Sequence, residues 1–238
     1  MIRALGLVAA ALVACAACGN AVTGSATSAP GTTGSATAAG APDGCRFLPE
    51  PQPAARPAPV PPSAQPVRTG TVAVAVESSA GPVPLTLDRA RGACAVTSFV
   101  SLARAGYFDG TPCHRLTTAG IFVLQCGDPT GQGTGGPGYT INDEPPTDLP
   151  PGPSSRTVTY PRGTLAMAKT SAPDSGGSQF FLVYADSPLP PAYTVFGTVD
   201  AAGLATLDKV AAAGSDDSNG QGDGRPKTPV TLTSVKVN

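Results

Sequence analysis

The sequence predicts a mostly β fold, a closed antiparallel barrel with two helices, preceded by a disordered tether. Several short runs in residues 67–238 alternate apolar and polar side chains, which is typical of strands with one buried face. Two segments there place apolar residues at helical spacing, and many strands with few helices favour a barrel. Residues 15–66 are dominated by Gly, Ala, Ser, Thr and Pro, and cannot bury enough apolar surface to offset their ordering entropy.

The overall composition excludes one class of partner. The chain has 15 basic and 16 acidic residues among 238, and the net charge of −1 gives no basic patch of the kind that binds nucleic acid. The length allows one large or two small domains. The apolar fraction is 41%, but much of it is Ala, so one region must supply the core. Nothing in the composition indicates an obligate interface, and we expect a monomer.

Residues 1–14 have the form of a lipoprotein-type signal peptide, with one positive charge at Arg3 before an apolar run. The run is too short to span a bilayer, which takes about 20 apolar residues. Leu12 to Cys15 resembles a bacterial lipobox, which implies lipidation of Cys15, with Cys18 as the competing acceptor. The alternative is an ordinary signal peptide with two incidental cysteines. We therefore expect an extracytoplasmic protein, held at the outer face of the cell membrane by a lipid anchor only.

The predicted tether, residues 15–66, has two parts. Residues 19–44 consist mainly of small residues and predict a flexible coil, whereas residues 49–66 contain eight Pro among eighteen and predict an extended polyproline-like spacer. Between them, residues 45–48 add a cysteine and two apolar side chains. We expect this patch to dock on the folded domain, residues 67–238.

The folded domain begins with a predicted β-hairpin. Apolar residues alternate along residues 71–77 and again along residues 83–87, and a turn at residues 78–81 separates the two runs. A helix is predicted over residues 95–105, where apolar residues recur at helical spacing until Gly106.

The C-terminal half predicts further strands and a second helix. In order, these elements are strands over residues 164–168, 179–184 and 193–199, a helix over residues 204–211 that ends at Gly214, and a closing strand over residues 231–237. Residues 145–153 are too rich in Pro for either regular element.

Residues 113–144 carry the candidate chemistry. Two short β-type runs flank a polar turn, and a glycine-rich loop follows over residues 127–138. Arg115 lies on the first run, and Phe122 and Gln125 lie on the second. An arginine at such a position has no use in a core, and it predicts a fixed donor directed into a groove.

This stretch resembles the cyclophilins, a family of peptidyl-prolyl cis-trans isomerases. The matching motifs occur in family order at nearly family spacing: His114-Arg115, Phe122 to Gln125, Gly127-Asp128-Pro129, Gly133 to Gly136, Gly163 to Lys169, Gly177 to Phe181 and Tyr193 to Gly197. The resemblance implies an eight-stranded barrel capped by two helices. It also implies an isomerase that acts on proline-containing polypeptides and helps exported proteins to fold.

Arg115 is the predicted catalytic residue. Rotation about an X-Pro bond meets a resonance barrier of about 18–20 kcal/mol. Because no bond forms or breaks, no nucleophile or cofactor is needed, and preferential binding of the twisted transition state is sufficient. The twisted imide nitrogen gains a lone pair, and a charged guanidinium that donates to it stabilises this form. The alternative is an arginine in a surface salt bridge.

The resemblance also implies which residues bind the substrate. Gln125 would hold a backbone carbonyl, an apolar pocket would take the proline ring, and a subsite would lie beside it along the peptide. The pocket residues are Phe122, Val123, Phe181 and Leu189, and the residues around them are Ala168, Lys169, Gln179 and Tyr193. For Val123 and Leu189, a place in the ordinary core is the alternative.

The sequence departs from the family pattern at several positions. Two extra residues lie between Arg115 and Gln125, and four side chains differ from those that are frequent in the family. They are Val123 in place of Met, Lys169 in place of Asn, Pro188 in place of Trp and Tyr193 in place of His. Since the Trp of many members contributes an indole donor to cyclosporin, we expect weak cyclosporin binding with isomerase activity retained.

Two other features of residues 113–144 are interpreted as structural. His114 is the only histidine and has no nucleophile set around it, so we expect no metal site or triad but a hydrogen-bonded structural residue beside the groove. Gly131 to Gly136 matches G-x-G-x-x-G, yet Pro137 and Gly138 follow where a dinucleotide-binding helix would begin. A structural loop beside the groove is preferred.

Four cysteines remain near the domain after export, which permits disulfides. They are Cys45, Cys94, Cys113 and Cys126, and four cysteines allow three pairings. We prefer Cys113–Cys126 with Cys45–Cys94, although strict strand alternation opposes the first pair unless a bulge intervenes.

A protein of another class is the alternative function. The same groove would hold Pro-containing peptides without catalysis, as a chaperone or scaffold does. The intact set of Arg115, Phe122, Gln125 and Phe181 favours the enzyme.

Overall fold

The computed structural model describes residues 44–62 and 65–238. The predicted signal peptide, Cys15, Cys18 and nearly all of the small-residue part of the tether lie outside these residues. Within the described ranges, no helix combines the length and apolarity needed to cross a membrane.

The described residues form a mostly β fold with two α-helices. The strands are β1 (Phe47–Pro49), β2 (Thr71–Ser78), β3 (Gly81–Pro82), β4 (Leu85–Asp88), β5 (Thr111–Pro112), β6 (Arg115–Thr117), β7 (Val123–Cys126), β8 (Tyr139–Ile141), β9 (Val158–Tyr160), β10 (Thr164–Met167), β11 (Phe180–Val183), β12 (Ser187–Leu189), β13 (Val195–Val199), β14 (Asp223–Gly224) and β15 (Thr231–Val237). The helices are α1 (Ala93–Arg104) and α2 (Ala201–Ala213). Both predicted helices and the strands predicted from alternation are confirmed, with bounds that shift by a few residues.

The main sheet is antiparallel, and its strands curl around the larger core. Its order is β14-β6-β7-β11-β10-β13-β4-β2-β15-β5, with β3 paired to β2. The prediction of a closed eight-stranded barrel is not confirmed, because this path has ten strands and two ends among the described residues.

The opening has a local cause at Cys113 and His114, which separate β5 from β6. The backbone N–H of Cys113 donates to Val230 O (2.8 Å) just before β15, whereas that of His114 donates to Gln125 O (3.0 Å) on β7. The segment therefore changes partner within two residues, and the ladder is interrupted there. The same break in alternation lets Cys113 reach Cys126, and the structure contains that disulfide.

The N-terminal part of the described chain packs on the domain. Cys45 forms a disulfide with Cys94 of α1, and β1 pairs with β8 in the register Phe47 to Ile141. Cys45 and Phe47 are buried, which confirms the expected docking of this patch. The packed part of the chain thus begins before residue 67, inside the segment for which composition predicts a tether.

Helix α1 is fixed by contacts with distant parts of the chain. Its first amides, from Cys94 and Ala95, donate to Glu144 Oε2 at 2.9 and 3.2 Å, so a carboxylate caps the positive end of the helix. A Cβ on Gly92 would lie 2.8 Å from Phe196 Cβ, so only glycine allows this close approach to β13. Phe99 of α1 is buried and stacks on Phe108 with ring centroids 4.8 Å apart.

Candidate active site

Arg115 is held at the end of the sheet by a carboxylate. It begins β6, opposite Gln125 of β7, while β14 on the other side of β6 carries Asp223. Arg115 Nε and Nη2 donate to Asp223 Oδ1 and Oδ2 at 2.8 and 2.6 Å. The two side chains are 36% and 27% exposed, so the pair is neither in the core nor fully in water.

The fork between Arg115 and Asp223 leaves part of the guanidinium available. Arg carries five N–H donors, and Asp223 accepts two hydrogen bonds from it. Arg115 lines a cavity of about 300 Å³ together with His114 and Gln125, so the clasped guanidinium lies beside a cleft. The hydrogen bond raises the pKa of Arg115 and lowers the pKa of Asp223, and both groups are charged at neutral pH.

An amide relay connects Gln125 to the glycine-rich loop. Gln125 Nε2 donates to Gln179 Oε1 at 2.8 Å, and Gln179 Nε2 lies 3.0 Å from the carbonyl oxygens of both Gly133 and Gly135. Gln125 also lines both the Arg115 cavity and a neighbouring cavity of about 500 Å³. The relay therefore holds the wall between the two cavities in one position.

Asp128 holds the loop from below. Its fully buried carboxylate accepts hydrogen bonds from the backbone amides of Gly133, Thr134 and Gly135 at 2.7 to 3.1 Å. Burial opposes ionisation, but the hydrogen bonds from Gly135, Thr130 and Gly133 outweigh it and lower the pKa of Asp128. A Cβ on Gly135 would lie 2.1 Å from Asp128 Oδ1, so this approach requires glycine. The loop is structural, as the sequence predicts, and no helix follows it.

The larger cavity contains the residues predicted for the subsite. Ala168, Lys169 and Gln179 line it with Gly133 to Gly136 of the loop. Lys169 Nζ lies 2.6 Å from Asp143 Oδ2, and the Lys169 side chain is only 9% exposed. Its ammonium is therefore neutralised within the wall of the cavity.

Most of the predicted proline-pocket residues belong to one small apolar cluster. Val123 and Phe181 are buried there, with Ala168, Leu189 and Tyr193 packed against them. The rings of Phe181 and Tyr193 meet edge to face, with centroids 5.5 Å apart. Val123 lies on β7 two residues before Gln125, the partner of Arg115 in the sheet, so this strand connects the cluster to the guanidinium.

Phe122 lies apart from that cluster. Its ring packs edge to face on Tyr184, with centroids 6.0 Å apart, and it contacts the larger core. Phe122 immediately precedes β7, and neighbouring residues of an extended chain face opposite sides, so Phe122 and Val123 diverge. Val123 is 3% exposed, which agrees with a place in the core.

His114 differs from the expectation. Both ring nitrogens are buried without a hydrogen-bond partner. Gln179 lies near the ring and favours its protonated form, but it does not reach either nitrogen at hydrogen-bond geometry. Burial lowers the pKa of His114, which keeps the ring neutral. Within residues 44–62 and 65–238, no three His, Cys, Asp or Glu side chains gather where a metal ion would fit.

The comparisons with known proteins agree with this geometry. The family model described as cyclophilin type peptidyl-prolyl cis-trans isomerase/CLD matches residues 71–237. This chain belongs to the cyclophilin family. The recognition made from the motifs around Arg115 is thereby confirmed.

Among relatives, this chain is similar to proteins named probable peptidyl-prolyl cis-trans isomerase B. The one from Mycobacterium tuberculosis is 50% identical over 196 residues, which cover 80% of this chain and 63% of the relative. The one from Mycobacterium leprae is 50% identical over 199 residues, covering 81% of this chain and 66% of the relative. The chain thus spans just under two thirds of the length of these relatives.

Solved structures show the same cyclophilin architecture. A Cryptosporidium parvum cyclophilin type peptidyl-prolyl cis-trans isomerase has a TM-score of 0.60 and 27% identity, and the match covers 71% of this chain and 98% of that chain. A structure of the same protein in the presence of the dipeptide Ala-Pro has a TM-score of 0.58 and 29% identity, with coverages of 70% and 98%.

Sequence reasoning missed three residues that shape the site. Asp223 lies 108 positions after Arg115, and nothing local in the sequence indicates the pairing. Tyr160 is fully buried in the apolar cluster, and its hydroxyl donates to Tyr193 O at 3.0 Å. Glu50 lines the larger cavity from inside the Pro-rich segment, where composition alone predicts a spacer.

Proposed function

We propose that this cyclophilin is a peptidyl-prolyl cis-trans isomerase that accelerates X-Pro rotation in exported proteins. One observation carries the proposal: a guanidinium fixed by Asp223 lines a cavity, and its sheet partner Gln125 lies on the same strand as Val123 of the apolar cluster. The membership in the family and the names of the mycobacterial relatives support the same activity.

The proposed mechanism uses binding energy alone. The proline ring packs against Phe181 and Leu189 of the apolar cluster, in which Val123 is a buried supporting residue, while Gln125 holds a backbone carbonyl of the peptide. Arg115 donates one of its remaining N–H groups to the imide nitrogen as that nitrogen becomes pyramidal. Because the planar cis and trans forms offer no such lone pair, the hydrogen bond favours the twisted state and lowers the barrier.

We further propose that Tyr193, Ala168, Lys169 and Gln179 contact the rest of the bound peptide. Ala168, Lys169 and Gln179 line the 500 Å³ cavity next to Gln125. The family resemblance supports this subsite, and Lys169 enters it as an ion-paired side chain.

The proposal includes an extracytoplasmic location for a monomer held by a lipid on Cys15. The support is the signal-like sequence of residues 1–14 and the two disulfides, which suit an oxidising compartment. Expression of the full chain with a radiolabelled fatty acid in a bacterium that processes lipoproteins tests it. Label should enter the wild type and be lost in Cys15→Ser; label retained in Cys15→Ser and lost in Cys18→Ser would assign Cys18 instead.

A protease-coupled assay with an Ala-Pro peptide tests the activity. We expect catalysed isomerisation with the wild type and a loss of about 10²–10³ in kcat/KM with Arg115→Ala, the range found when one donor to a developing charge is removed. Equal rates for the two proteins would leave only a peptide-binding module. Arg162→Ala is a matched control, because Arg162 also forms a fork to an aspartate, Asp208, but lines neither cavity.

A further inference from the structure

The segment that precedes the family domain forms part of the site. We call residues 49–55 the N-terminal strap. Its backbone follows the glycine-rich loop, with Glu50 N–H donating to Gly138 O at 3.0 Å and Ala55 N–H donating to Gly136 O at 2.9 Å. The strap lies outside residues 71–237, which the family model matches. This wall therefore lies outside the part of the site that the family model covers.

The strap is anchored at both ends. At its start, the Cys45–Cys94 disulfide and the β1–β8 pairing attach the chain to α1 and to the strand that follows the loop. After it, Arg56 Nη1 donates to the carbonyl oxygens of Tyr107 and Asp109 at 2.7 and 2.6 Å. These contacts keep the intervening prolines in place beside the cavity.

The strap completes the 500 Å³ cavity. Glu50, Pro51, Gln52 and Pro53 line one side, and the predicted subsite residues Ala168, Lys169 and Gln179 also line the cavity. Gln125 lines it as well, so the cavity adjoins the position proposed for the X-Pro bond. A side chain of the bound peptide that enters this cavity would meet the strap.

The cavity has one uncompensated charge. Lys169 is neutralised by Asp143, and Asp128 beneath the loop is satisfied by backbone amides. Glu50 forms no ion pair with any cation in the described ranges, and Nη1 of Arg56, just after the strap, donates to carbonyl oxygens. Burial raises the pKa of Glu50, with no cation acting against it. The cavity thus presents an unpaired, partly desolvated carboxylate.

We propose that Glu50 makes this cavity a subsite for a lysine or arginine side chain of the substrate, close to the isomerised proline. A long cationic side chain suits such a place, because its methylenes pack against Pro51 and Pro53 while its charged end reaches the carboxylate. The inference rests on the proposed isomerase function and adds a charge preference to it.

The test is a set of peptides that differ only in charge. Each contains one Ala-Pro bond, and Lys, Gln or Glu is placed in turn at each of the three positions before and after it. At low ionic strength we expect the wild type to prefer Lys over Glu by about fivefold in kcat/KM at one position, the size of a partly exposed ion pair. Glu50→Gln should bring that ratio close to one, and Glu50→Lys should invert it.

Glu77→Gln is the matched control. Glu77 is an exposed residue of β2 that does not line the cavity, so its substitution should leave the ratio at the wild-type value. A wild-type ratio near one at every position, or a preference that survives in Glu50→Gln, would overturn the inference. The inversion in Glu50→Lys separates a charge effect from a general loss of folding, which would lower all rates together.

The neutral Gln peptides separate this inference from the function on which it rests. If the wild type isomerises them but shows no charge preference, the subsite is wrong and the isomerase stands. If no peptide is isomerised, the proposed function fails. In that case, the dissociation constants of the Lys and Glu peptides still test the charge selectivity. We expect the wild type to bind the Lys peptide more tightly than the Glu peptide, and Glu50→Gln to bind both equally. Equal affinities of the wild type for the two peptides would refute the inference.

Discussion

Substitution of Asp223 separates the orientation of Arg115 from its charge, because Asp223 contacts Arg115 but takes no part itself in the proposed chemistry. Asp223→Ala removes both hydrogen bonds that orient the guanidinium, at 2.8 and 2.6 Å, but leaves its positive charge in the site. We infer that Asp223 is a positioning residue. Its loss should therefore lower kcat more than it raises KM.

The expected magnitudes follow from the geometry. A misplacement of about 1 Å in a reacting group costs up to about 100-fold in rate, so we expect Asp223→Ala to lose about 10- to 100-fold in kcat. Since the two side chains are 36% and 27% exposed, the ion pair should contribute no more than about 1 kcal/mol to the free energy of unfolding. In a chain of this size, that corresponds to a shift in Tm of about 2–4 °C.

The assay combines kinetics on an Ala-Pro peptide with thermal unfolding. Asp223→Asn keeps one acceptor oxygen and should recover part of the rate lost in Asp223→Ala, which a merely structural role would not predict. Arg115→Lys keeps the charge but loses the rigid fork, and should be slower than the wild type. Full activity or a gain in Asp223→Ala, measured while Arg115→Ala is inactive, would refute the positioning role.

Three further predictions concern the loop, the strap and an inhibitor. Asp128→Ala should lower the free energy of unfolding by about 3 kcal/mol or more at pH 7, because buried amides lose a charged acceptor. The pKa of Asp128 is lowered in the folded state, so its stabilising contribution is fully present above the unfolded pKa of about 3.9 and disappears as the pH falls toward the folded value. In urea unfolding, the difference in stability between the wild type and Asp128→Ala should therefore be smaller at pH 3 than at pH 7. An equal difference at the two pH values would contradict this prediction. Replacing Cys45 and Cys94 together by Ser should cost about 2–4 kcal/mol in chemical denaturation and raise amide exchange at Glu50, whereas unchanged exchange would show that strand pairing alone holds the strap. Cyclosporin should inhibit weakly, because Pro188 replaces the indole donor, and a nanomolar inhibition constant would contradict this.

Periodicity alone predicted most elements of the fold, because alternation and helical spacing are local properties. The closing strand over residues 231–237 and the helix that ends before Gly214 follow from a few side chains each. Whether the sheet closes cannot be predicted in this way, because it depends on where the chain at Cys113 and His114 changes from one partner strand to another. No local pattern records that change.

The site residues likewise fall into those that local motifs predict and those that only the fold brings together. Arg115, Gln125 and Phe181 lie in motifs whose residues are close together in the sequence. Asp223 and Glu50 reach the site from far along the chain, through strand pairing and a disulfide, and their own sequence surroundings carry no such signal. Composition predicts the average behaviour of a Pro-rich segment, whereas a single covalent link and a few backbone hydrogen bonds are enough to fix one part of it.

Exchange spectroscopy by NMR on an Ala-Pro peptide shows whether Arg115 catalyses the rotation, because it observes cis-trans interconversion at equilibrium without a coupling protease. With a small fraction of wild-type protein, we expect exchange cross-peaks between the cis and trans proline signals, and their loss with Arg115→Ala under the same conditions. Peptide signals that shift on binding while the interconversion rate stays at its uncatalysed value would contradict catalysis by Arg115, and would assign the groove to binding alone.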